Sequence, residues 1–136
     1  MATIYRSAPI DLPAATVWNF LDRYTRSEVH IFRNCTSERR VDDYRVVVTT
    51  DGQEIWERNV TVDTPHMRAV YTIPHLHGAE HHQAEMSVRD GGEGHCTLLW
   101  ITDLVPHDLA DQLGPVYDEL FVDMISAVRS HGMSAG

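Results

Sequence analysis

Residues 108–131 most narrow what this chain can become. Leu109, Leu113, Val116, Tyr117, Leu120, Met124 and Val128 recur at three- and four-residue intervals, the spacing that gathers apolar side chains on one face of an α-helix. So broad a stripe must lie against a large apolar surface. Asp108, Asp111, Asp118 and Glu119 take the other side or the first turn. Upstream the period is alternating, as in strands. Residues 34–41, 44–50, 53–63, 67–73, 82–89 and 95–105 read as six consecutive strands. Turn signals separate them at Asp51-Gly52, at Thr64-Pro65-His66 and at "DGGEG", residues 90–94.

The N-terminal part completes the pattern. Residues 3–8 read as a short strand ending at Pro9. "DLPAATVWNFLDR" starts a helix, with Asp11 able to cap, Pro13 at an early helical position, and Val17, Phe20 and Leu21 at helical spacing. Residues 24–31 read as a second short helix or a turn. The order β-α-α-β6-α predicts an α+β fold, a curved antiparallel sheet of about seven strands around the long helix, and a sheet so wrapped can leave an internal cavity.

The chain has 136 residues, the length of one domain with one core. Hydrophobic residues make up 43% and charged residues 23%, ordinary globular usage without repeats or low-complexity tracts. Acidic residues outnumber Lys plus Arg by 20 to 11, for a formal charge of −9, so the basic footprint that nucleic acid requires is missing. No apolar run is long enough to cross a bilayer, and "MATIYRSAPI" lacks the pattern of a signal peptide. A cytoplasmic protein with neither nucleic-acid nor membrane partners is the expectation. Cys35 and Cys96 form no metal or disulfide pattern and read as reduced thiols.

Three phrases carry a resemblance: "APIDLPAATVWNFLDR", "WERNVTVDTPHMRAVYTI" and "LLWITDLVP". They resemble recurring segments of the small bacterial polyketide cyclase/dehydrase-type proteins of the START-like, helix-grip (SRPBCC) superfamily, which also includes aromatases, birch-allergen-like plant proteins and abscisic-acid receptors. The resemblance runs from Thr3 to about His131 and treats residues 1–136 as one START-like domain. It implies a helix-grip fold whose cavity, between sheet and C-terminal helix, receives a hydrophobic or polyketide-like small molecule without cofactor or metal. Some such proteins guide aldol closure or dehydration, and others only bind.

Site candidates follow from both arguments. "IPHLHGAEHH", residues 73–82, holds four histidines. Alternation in the following strand puts His82 on the apolar face with Ala84, Met86 and Val88, and turns His81 to water. His82 is then either a general acid or base or a hydrogen-bonded wall residue, and the receptors have a ligand-contacting polar residue at this position. For Glu57 the arguments oppose. Alternation gathers Trp56, Val60 and Val62 on the more apolar face, turning Glu57 outward with Ile55, Asn59 and Thr61. The receptor resemblance makes Glu57 a cavity carboxylate, where desolvation would suit it to proton exchange, and that placement is adopted here.

Tyr71 could donate its hydroxyl to a carbonyl or enolate oxygen, or simply pack as an amphipathic wall. Asn59 would add a hydrogen bond. Ile73, Ala84, Met86, Trp100, Leu113, Tyr117, Leu120 and Met124 are candidate ligand contacts, with His75 and His77 at the rim. Asp103 reads as structural, bonded to backbone near Pro106. A metal site would need three or four convergent ligands, and no such framework accompanies the histidines. No nucleophile elbow or glycine-rich phosphate loop is present. Two functions remain: a cofactor-independent cyclase, aromatase or dehydratase with His82, Glu57 and Tyr71 as its reactive groups, or a carrier or sensor of a hydrophobic molecule. Homodimerisation is expected only because symmetric pairing is common.

Overall fold

The two ends of the chain meet in the sheet. The computed structural model describes residues 2–135, and side chains through residue 132. β1 (Ala2–Ile10) runs antiparallel to β7 (Cys96–Val105), with Ala2 opposite Leu104 and Ile10 opposite Cys96. The other strands are β2 (Cys35–Val41), β3 (Tyr44–Thr49), β4 (Glu54–Asp63), β5 (Arg68–Thr72) and β6 (His81–Asp90), each antiparallel to its neighbours. The sheet order is β1-β7-β6-β5-β4-β3-β2. α1 (Ala14–Thr25) follows β1, and α2 (His107–Ala135) lies against β1 and β7. This is the expected α+β helix-grip architecture with seven strands. No helix among the described residues is long and apolar enough to cross a membrane.

Local details differ from the sequence reading. Strand β1 continues through Pro9, opposite Thr97, because an edge strand tolerates a residue without an N–H donor. Asp11 does not cap α1. Pro13 holds the N-cap position without a side-chain cap bond, and its carbonyl accepts from the N–H groups of Thr16 and Val17 at 3.0 and 3.2 Å. Residues 26–34 form no second helix. The Ser27 N–H bonds the Tyr24 carbonyl at 3.0 Å and Ser27 itself turns to φ 58°, a left-handed step that ends helical winding.

On α2, Leu109, Tyr117, Met124 and Val128 are buried as the stripe requires, joined by Ala110 and Phe121. Val116 is 47% exposed. It lies on the rim of the cavity described next, so its neighbours Leu113 and Tyr117 turn inward while it borders water.

Candidate functional site

A cavity of about 350 Å³ lies between the inner face of the sheet and the middle of α2, within the size range of small-molecule sites. Every layer of the fold contributes. Tyr24 comes from α1, Phe32 from the turn after it, Val47 from β3, Ile55 and Glu57 from β4, Tyr71 from β5, Trp100 from β7, and Leu113, Tyr117 and Leu120 from α2. The aromatic rings brace one another. Phe32 stacks on Trp100 at 5.7 Å, while Trp100 meets Tyr117 edge-on at 4.9 Å and Tyr24 meets Phe32 edge-on at 5.9 Å. The Trp100 indole N–H donates to the Tyr71 hydroxyl oxygen at 3.0 Å. That bond occupies a lone pair and leaves the Tyr71 proton free to be donated.

Glu57 faces the cavity, with its side chain 16% exposed. Alternation misplaced it because apolar character does not mark the inner face of β4: Ile55 and Glu57 line the cavity, while Trp56, in a stretch of regular β3–β4 pairing, takes the other side. The register against β5 shifts only beyond them, between Asn59 and Thr61. Trp56 packs edge-on against Tyr44, and Val60 and Val62 are 57% and 39% exposed.

Behind Glu57 stands Arg45, its partner across the β3–β4 ladder. Arg45 is 1% exposed and does not line the cavity. Its Nε lies 3.6 Å from Glu57 Oε1 and its Nη1 3.4 Å from Glu38 Oε2. The guanidinium sits over the Tyr24 ring at 3.8 Å, a cation–π contact. The other oxygen of Glu38 meets His30 Nδ1 at 2.8 Å. Burial pushes the Glu57 carboxyl above its ordinary range; Arg45 opposes this and Glu38 adds to it. Burial also raises the Tyr24 and Tyr71 hydroxyls well above their usual range, Tyr117 to about 12 and the Cys35 thiol to about 11. Among these lining groups Glu57 is the one that burial shifts toward neutral pH and not away from it.

His82 points to the inner face and is 2% exposed, yet it does not reach this cavity. The Ile73 N–H donates to its Nδ1 at 3.0 Å, which leaves the ring proton on Nε2. It borders a separate recess of about 90 Å³ with Thr72, Ile73, Pro74, Ala79, Glu80 and His81. Alternation gave its face but not its height along the strand. Burial lowers its pKa from 6.5 to about 4, so protonation favours the unfolded chain. The resulting stability is full above the unfolded value near 6.5 and is lost as pH falls toward 4. Urea unfolding at neutral pH and near pH 4 should show a His82-dependent loss on the order of 3 kcal/mol. His82→Asn, whose side-chain oxygen stands where Nδ1 accepts from Ile73 but does not titrate, should remove that component; an unchanged pH dependence would refute it.

A sequence model of the family described as polyketide cyclase / dehydrase and lipid transport matches residues 1–130. The chain belongs to this family. Among solved structures, a Thermobifida fusca protein studied by solution NMR is 27% identical, with TM-score 0.77, covering 98% of this chain and 95% of that one. Norcoclaurine synthase of Thalictrum flavum, a point mutant with a transition-state analogue, is 13% identical at TM-score 0.79, over 98% and 95% of the two chains. The di-domain ARO/CYC protein BexL of the BE-7585A biosynthetic pathway is 10% identical at TM-score 0.80, over 95% of this chain and 47% of that one. At such identities these last two likenesses concern the fold. No curated protein matches the chain by sequence.

Within this polyketide cyclase / dehydrase-family domain, Glu57, Tyr71, Ile73, Trp100, Leu113, Tyr117 and Leu120 come together around the cavity. The other candidates stand elsewhere. Asn59 donates to the Thr25 carbonyl at 3.3 Å, fastening β4 to the end of α1. Ala84, Met86 and Met124 are core residues outside the lining. His75 and His77 are exposed, and Leu76 between them lines the cavity. Asp103 accepts from the Thr3 hydroxyl at 2.7 Å, tying β7 to β1 instead of bonding backbone near Pro106. Among the described residues, no three His, Cys, Asp or Glu side chains converge as a metal site would require.

Sequence reasoning passed over Tyr24, Phe32, Cys35, Ile55 and Arg45. Ile55 had a signal, since it shares the face of Glu57 two residues away. Tyr24 follows Leu21 at helical spacing. Arg45 is linked to the site only by strand register.

Proposed function

We propose that the cavity takes up an aromatic or polyketide-like small molecule and promotes its ring closure or dehydration by proton exchange at Glu57. In this reading Glu57 removes a proton from the carbon between two carbonyl groups, and the Tyr71 hydroxyl donates to the oxygen on which the enolate charge collects. The enolate carbon then bonds to the carbon of a third, more distant carbonyl of the same molecule, and the alkoxide so formed takes the proton back from Glu57. The aromatic walls contribute by holding a flexible chain in the folded shape that brings the two carbons together. The observation that carries the reading is a buried carboxylate and a tyrosine with a free hydroxyl proton lining one aromatic cavity.

A carrier or sensor reading has one specific observation in its favour. Glu57 already faces Arg45, and His82, the other proton-transfer candidate, lies outside the cavity. Two measurements separate the readings. Binding of the neutral fluorophore phenylnaphthylamine should be saturable and one-to-one, and Leu120→Trp, which fills the cavity, should weaken it by roughly tenfold or more. The protein should also accelerate deuterium exchange at the central carbon of benzoylacetone, followed by NMR. Binding without accelerated exchange would overturn the enzyme reading and leave the carrier; failure to bind would overturn both.

A further inference from the structure

We infer that the cavity selects uncharged molecules: it accepts aromatic or polyketide-like compounds whose carboxyl group is absent or masked as an ester or amide, and excludes free carboxylates. The inference rests on the reading of this cavity as a ligand site and adds the charge class of what enters it.

The argument is an inventory of charge. The titratable side chains lining the cavity are Tyr24, Cys35, Glu57, Tyr71 and Tyr117. None of them can carry a positive charge. The nearest cation, Arg45, is sealed behind them and divided between Glu57 and Glu38. An entering anion therefore cannot reach it, and the interior holds one guanidinium against two carboxylates.

The approach offers no substitute. An open groove of about 650 Å³ adjoins the cavity through Asn34, Val116 and Leu120. Its cation, Arg33, lies outside the cavity lining with its side chain 84% exposed to water, and it is paired with Asp123, which accepts from Arg33 Nε at 2.7 Å and from the Arg33 backbone N–H at 3.1 Å. Glu119 borders the same groove. The whole chain carries a formal charge of −9, so the long-range field also disfavours anions.

A carboxylate in such a cavity would lose its water and gain no counter-charge, which is among the more costly burials available to a ligand. A hydroxyl or an ester pays no such penalty. Glu57 can accept from a ligand hydroxyl, and Tyr71 can donate to an ester or ketone oxygen. The reaction that supplies this protein would accordingly have to leave the acid masked or remove it.

The test uses three bicyclic probes of similar size: naphthol, methyl naphthoate and free naphthoate, measured by calorimetry or fluorescence at neutral pH. Naphthol and the ester should bind with comparable affinity and naphthoate roughly tenfold or more weaker. Leu120→Trp should abolish the binding of the first two, which places them in the cavity. Glu57→Gln should narrow the gap between ester and acid. Naphthoate binding as tightly as its ester would overturn the inference and make Arg45 an anion receptor, with the ligand-site reading intact. If none of the three binds, the ligand-site reading fails and the inference falls with it.

Discussion

Replacing Arg45 with methionine is expected to lower the unfolding free energy by about 3–5 kcal/mol, the range typical when one partner of a buried charge group is removed. Methionine keeps much of the apolar contact over the Tyr24 ring but none of the charge. Glu38 and Glu57 are then left facing one another's charge with no cation between them. Glu57, whose carboxyl burial already raises and Arg45 opposes, would hold its proton more tightly still when folded. A carboxyl whose folded pKa is raised contributes stability that is lost as pH rises past the unfolded value. The deficit should thus be largest at neutral pH and shrink as pH falls toward the ordinary carboxylate range. Adding Glu38→Gln and Glu57→Gln to the Arg45 variant should recover much of the loss, because an interior without charges does not need the pairing. Urea titrations of the single and triple variants at two pH values would check this. A single variant as stable as the parent would mean that the guanidinium contributes nothing to the fold.

The second large effect is on reactivity. Glu57→Gln should slow the exchange of the benzoylacetone central protons by a factor on the order of 10²–10⁴, the usual contribution of a positioned general base. Glutamine preserves shape and removes a carboxyl that burial and Glu38 both disfavour as an anion. The variant should therefore remain folded and bind phenylnaphthylamine about as well as the parent does. Loss of rate with retained binding identifies the base. An undiminished rate would remove Glu57 from the chemistry and shift the conclusion to the carrier.

How far the sequence could be read depended on whether the signal was local. The α2 stripe and the strand alternation are properties of neighbouring residues, so they led directly to a sheet wrapped on a helix. The turn at Asp51-Gly52 was legible for the same reason, since Gly52 adopts φ 87°, a conformation open to glycine at little cost. The site depends on register and depth, which alternation does not report. His82 was assigned the correct face and the wrong level. Glu57 was turned outward because Trp56 and Val60 make the face away from the cavity the more apolar one, and only the family resemblance brought it back. Arg45 could not be connected to the site at all, because its partnership with Glu57 exists only once β3 and β4 are aligned.

The pairing of β1 with β7 has a consequence for how the chain acquires its shape. Thr3 and Asp103, joined by a hydrogen bond, are 100 positions apart. Emerging from the ribosome, β1 waits through five other strands before its partner is made, and the inner face of the sheet waits longer still for α2. Contacts this distant in sequence make folding slow relative to helical domains of the same size. The cavity itself does not exist until β7 and α2 have docked. A small molecule present during synthesis can stabilise the folded domain by mass action, but it has no early surface on which to act as a template.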